Sequence, residues 1–222
     1  MRKHYQQRYF TGVSAAILFF SIWGFSDNLF WDIGQPSNSD PKFVIHGLFC
    51  LAWMIVFLVQ SSLVESGKLQ RHRLVGKIGL FIALGVVIST VYVFAAVWKG
   101  WTNMEPFVKA NRVLFASYVI CIVWAIYLRK KTDWHRRLML VATLFMMEPI
   151  LSRVFGTAEI TVLANMSDTQ LDFYWYVVVF ALWAGLFLSL YLYDWFSQRR
   201  FHPVTVGGSS WLVLAWSGVH YI

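Results

Sequence analysis

Charge is scarce in this 222-residue chain: Asp, Glu, Lys and Arg make up only 14% of it, where a soluble domain carries about 25%. Cysteine is scarcer still, with two residues, and proline is limited to five. So few charges beside a 58% apolar content exclude a disordered chain and fit poorly with a water-soluble domain. Two cysteines exclude a disulfide scaffold. No CxxC or CxxCH occurs, which removes zinc ribbons and covalently attached c-type haem. P-loop, Gly-rich dinucleotide, HExxH and GxSxG patterns are also missing. Every lysine falls near the end of an apolar run, so none is placed for a retinal Schiff base.

What is present is apolar length. Aromatic side chains reach 18% with 12 Trp, and such rings collect where a bilayer meets water. A hydrocarbon core ~30 Å thick needs about 20 apolar residues per helix. Six runs meet this: residues 11–31, 43–64, 74–97, 110–128, 138–155 and 173–196. The fold class expected is all-α, a polytopic transmembrane helix bundle forming a single domain over 1–222. The run at 11–31 lacks a small-x-small cleavage site and reads as a retained first span rather than a signal peptide. A C-terminal segment, 209–222, is apolar but short. It reads as a re-entrant or interfacial helix, or as a short or truncated seventh span, with Gly207-Gly208 expected to supply a flexible break before it.

Orientation follows from Lys and Arg, which cytoplasmic loops hold in excess. Of 19 such residues, fourteen fall in the N-terminal tail, between spans two and three, between four and five, and after span six. Only Lys42, Lys99, Lys109, Arg112 and Arg153 fall on the other side. The N-terminus is therefore expected in the cytoplasm of a bacterial inner membrane. The formal net charge of +8 is then accounted for by loops beside anionic lipid, and nucleic acid is not an expected partner.

Few residues remain to carry chemistry. Glu148 lies near the middle of span five, where an ionisable group is costly and must face the bundle. Pro149 follows it and removes a helical donor, so the helix is expected to kink there. Asp27, His46, Arg112 and Arg153 fall at outer depth, and with Glu148 they outline a ligand-binding pocket for a small, anionic ligand. The alternative is that Glu148 fixes packing only. His72 and His135 open spans three and five from one face, and paired histidines on two helices are how membrane bundles hold b-type haem. Basic clusters at helix mouths are equally what topology selects. His46, Trp53 and Gln60, seven residues apart, share one stripe, with Gln60 placed to hydrogen-bond across helices. A metal held by His46, Cys50 and Cys121 rests on a single helical pair, and no metal is expected.

Several motifs together resemble a group of uncharacterised bacterial multi-spanning membrane proteins. They are His46-Gly47, Trp53, Gln60, His72-Arg73 with Gly76, His135-Arg136-Arg137-Leu138-Met139, Arg153 and Arg199-Arg200-Phe201-His202-Pro203. The resemblance runs from about residue 43 to 208 and implies a bacterial inner membrane and a seventh apolar helix. A looser likeness is to the cytochrome b561 type, which uses two histidine pairs. Here spans two and four offer only His46, so that likeness implies at most one haem, on His72 and His135. Three functions remain open: a ligand-binding bundle of transporter or sensor kind, a membrane redox protein with one haem b, and an accessory subunit without chemistry.

Overall fold

Long apolar runs with few prolines have one economical solution for their backbone polar groups, which is the helix. The computed structural model describes residues 2–30, 34–157 and 166–219, and among these it contains helices and no strand. Trp31, expected to close the first span, and residues 220–222 lie outside the described residues. Helices α1 (Arg2–Gly24), α2 (Ser26–Leu29), α3 (Pro36–Ser39), α4 (Pro41–Glu65) and α5 (Leu69–Ala96) fall in one compact unit, residues 1–98. Helices α6 (Pro106–Tyr127), α7 (Thr132–Phe145), α8 (Glu148–Thr157), α9 (Asp168–Gln198) and α10 (Pro203–Gly218) fall in a second, residues 99–222.

Four helices are long and apolar enough to cross a membrane: Pro41–Glu65, Leu69–Ala96, Pro106–Tyr127 and Thr169–Gln198. A fifth crossing is made if Thr132–Phe145 and Glu148–Gly156, bent by 48°, are one span. Outward faces agree with a lipid setting. On α5, Ile78, Phe81, Leu84 and Ile88 recur at helical spacing, and all four are exposed, Phe81 at 74%. A contiguous apolar stripe of that size does not face water in a stable monomer.

The first expected span is the outlier. Its helix starts at Arg2 and stops at Gly24, so its apolar stretch after Arg8 is shorter than the run to residue 31 expected from the sequence. Phe25 leaves helical geometry at φ −112°, ψ 20°, and the short helix α2, opening with the polar Ser26, Asp27 and Asn28, follows. In this unit α4 packs against both α1 and α5. Close approach to α5 depends on Gly85, where a Cβ would collide with the Phe49 ring. Asp40 caps α4 by accepting from the Lys42 amide at 3.1 Å, and Pro41 opens the helix.

In the second unit α6 packs on α7, α8 on α9, and α10 against α6, α7 and α9. Leu114, Tyr118, Leu140, Leu144, Trp183 and Leu190 are fully buried among them. The C-terminal segment starts earlier than the sequence suggests. Gly207 and Gly208 lie inside α10 rather than forming a break. A Cβ on Gly208 would meet Val141 at 2.7 Å, so this glycine serves close packing of α10 on α7, and the tertiary contact outweighs its poor helix propensity.

Candidate functional site

The interruption between α7 and α8 follows from three residues. Pro149 has no N–H, so the Phe145 carbonyl loses its helical donor. Met146 and Met147 close the turn with tighter bonds to Thr143 and Leu144, each at 3.1 Å. The helix restarts on the Met147 carbonyl, which accepts from Ile150 at 3.1 Å and Leu151 at 2.9 Å. The Leu144 carbonyl, exposed by the break, accepts a second bond from the Trp183 indole at 2.7 Å. Trp183 itself is fully buried.

Glu148 is the first residue of α8, where the positive end of the helix dipole favours a carboxylate. It is only 2% exposed. Asn111, from α6, donates to its Oε2 at 2.5 Å. A buried carboxylate needs such donors, because burying its charge alone costs several kcal/mol. Asn111 is the sequence neighbour of Arg112, and Arg153 stands on α8, half-buried like Arg112. Lys109, one turn before Arg112, is buried with its ammonium over the Trp101 ring at 5.8 Å. Glu148, Arg112 and Arg153 thus belong to the second unit.

Asp27 and His46 belong to the first unit. Asp27 accepts from the Gln35 side chain and the Asn28 amide, each at 3.0 Å, and ties the turn after α1 to the chain before α3. His46 meets Ser89 of α5 at 3.2 Å through Nδ1, and the Cys50 thiol at 3.6 Å through Nε2. Among the described residues no three of His, Cys, Asp and Glu gather closely enough to hold a metal ion. Trp53 is buried, and the Gln60 amide lies over Gly76, its nitrogen 3.2 Å from where a Cβ would stand. Its Oε1 is buried without a hydrogen-bond partner among the described residues, so the expected bond across helices is not made by that atom.

His72, half-buried, opens α5 in the first unit, and His135 opens α7 in the second. The His135 Nδ1 lies 2.8 Å from the Ala125 carbonyl. That contact places a proton on Nδ1 and, in the neutral ring, the lone pair on Nε2.

The strongest polar arrangement of the second unit is one that sequence reading passes over. Arg137, counted there among loop cations, is fully buried and pairs with the fully buried Asp194 of α9. Its Nε and Nη2 donate to Asp194 Oδ1 at 2.8 and 2.6 Å, and its Nη1 donates to the Asp133 carbonyl at 3.0 Å. Asp194 Oδ2 accepts from the His202 amide at 2.9 Å and from Thr205 Oγ1 at 2.6 Å. His202 caps α10 by accepting from the Val204 amide at 3.2 Å, and its ring meets the Trp134 edge at 5.0 Å. Burial, and then the neighbouring Arg137 charge, push His202 below its ordinary pKa, against the opposing pull of Asp194 and Asp133. The signal was available: Asp194 is the single acidic residue between 173 and 196.

No protein-family model, curated protein or solved structure matches this chain.

Proposed function

We propose that this chain is an integral membrane protein of a bacterial inner membrane that binds a small ligand within its helix bundle, in the manner of a transporter or sensor. In this reading α1, the four long helices and the bent α7–α8 pair make six spans, α10 is a short seventh, and the N-terminus is cytoplasmic. The alternation of fourteen cations against five along the sequence supports that orientation. The chain is then kin to the bacterial multi-spanning proteins it resembles.

One observation carries the ligand reading: a buried carboxylate, Glu148, stands at the break of a bent span and meets Asn111 of a neighbouring helix. Interrupted helices place polar backbone and side-chain groups at membrane depth only where protein or a cavity receives them, and transporters use such breaks to meet their substrates. Arg112 and Arg153 in the same unit supply positive charge for an anionic group on the ligand. The test is a thermal-shift screen of small metabolites on the purified protein and on Glu148→Gln. Ligands of this site stabilise the wild type and not the variant. If every stabilising compound acts equally on both, Glu148 is a packing residue.

A further inference from the structure

Two turns far apart in sequence converge at one end of the second unit. The Trp134–His202 ring contact and the Arg137–Asp194 pair bring the α6–α7 turn beside the α9–α10 turn. The first turn carries Arg129, Lys130 and Lys131, and the second carries Arg199 and Arg200; all five are exposed. Two acids stand beside them, and both are already engaged: Asp133 with Arg136 and Arg137, and Asp194 with Arg137, His202 and Thr205. Among the described residues none of the five cations forms an ion pair. The fold therefore spends its local carboxylates on the buried clasp and leaves five positive charges facing outward.

Rings flank these charges. Trp195 and Phe201, 45% and 50% exposed, lie 5.9 Å apart, and Trp134, in the first turn of α7, is 36% exposed. The two turns also end two of the membrane-crossing helices, Pro106–Tyr127 and Thr169–Gln198. Half-exposed tryptophans at such ends sit at headgroup depth, and basic residues there attract anionic lipid. A free phosphate has no use for the rings, whereas a lipid meets rings and charges together.

We propose that the paired turns 128–131 and 199–202 form a binding surface for the headgroup of an anionic phospholipid. It is independent of any ligand at Glu148.

The experiment reconstitutes the full chain into phosphatidylcholine vesicles containing a trace of spin-labelled phosphatidylglycerol or spin-labelled phosphatidylcholine. The relative association of the two labels with the protein is then read by electron paramagnetic resonance. Wild type is expected to favour phosphatidylglycerol. Arg129→Gln/Lys130→Gln/Lys131→Gln/Arg199→Gln/Arg200→Gln is expected to lower that preference several-fold, and the three-residue and two-residue halves of the set to lower it partially. Lys68→Gln/Arg71→Gln, in the first unit, is expected to keep it. The proposal is overturned if wild type shows no preference, if the preference survives in the five-residue variant and both halves, or if the control loses as much. It is also overturned if inorganic phosphate displaces the labelled lipid more than chloride at equal ionic strength, since that marks a phosphate site. Should the five-residue variant fail to fold, the wild-type preference and the two halves still decide the matter.

Discussion

Arg137→Leu is the substitution whose outcome follows most directly from the geometry. Asp194 would keep two donors, the His202 amide and Thr205 Oγ1, but would lose both bonds from the guanidinium and, among the described residues, the counter-charge it is paired with. Removing one partner of a buried ion pair costs about 3–5 kcal/mol, because the other charge stays buried and uncompensated. Asp194→Leu should cost at least as much, since it leaves the buried Arg137 with only the exposed Asp133 as a counter-charge and also leaves the His202 amide and Thr205 hydroxyl without their acceptor. In the double variant the charges vanish together, and only the two orphaned donors remain, at about 1–3 kcal/mol for a buried group. The two single costs should therefore exceed the double cost by about 3 kcal/mol or more. Equilibrium unfolding of the four proteins in mixed micelles measures this coupling. A coupling below about 1 kcal/mol would mean that water reaches the pair, and the description of α7, α9 and α10 as joined by a buried clasp would be wrong.

Four further outcomes follow. Trp183→Phe removes the indole donor from the Leu144 carbonyl, which keeps backbone donors at the break, and should lower unfolding free energy by about 1–2 kcal/mol in the same assay. His202 is held below its ordinary value of about 6.5 by burial and Arg137, with Asp194, Asp133 and Arg200 also facing it. The unfolded chain then takes up a proton first, so this contribution to stability is complete above that value and is lost as pH falls through it. A pH series of melting temperatures should show the loss in wild type and a flatter profile in His202→Asn, which can cap α10 without titrating. Gly85→Ala forces the Phe49 ring to move and should cost about 1–3 kcal/mol; Phe49→Leu in the same chain should recover part of it. Gln60→Met removes a buried carbonyl oxygen that lacks a partner and should raise the melting temperature, whereas a fall would show that the oxygen is satisfied.

Much of the helix content is legible because exposed apolar residues announce it. Residues such as Phe81 and Ile88 must be apolar for lack of any alternative, and the run around them reads plainly. The break at Glu148 is equally local, since Pro149 alone removes a donor. The first helix is harder. Its apolar run continues past Gly24, but the chain leaves helical geometry at Phe25, and hydropathy does not report a backbone turn. Gly207-Gly208 misleads for the opposite reason: two glycines look like a break, while the Val141 side chain requires the absence of a Cβ. Arg137 counts toward topology in any sequence reading, and nothing local reveals that it points inward. Its partner is 57 positions away, and only the lone acid at 194 hints that a cation must come to meet it.

That separation has a consequence for how the protein is made. At about 5–20 residues per second, a ribosome needs roughly 3 to 11 s to deliver Asp194 after Arg137 has emerged. Through that interval the guanidinium has only the exposed Asp133 carboxylate beside it as a counter-ion, and its long side chain must reach back toward the interfacial water. The mouth of α7 cannot settle until α9 is threaded and the chain has turned into α10. Assembly of this half of the protein therefore runs against the order of synthesis, with the last helices fixing the position of an earlier one.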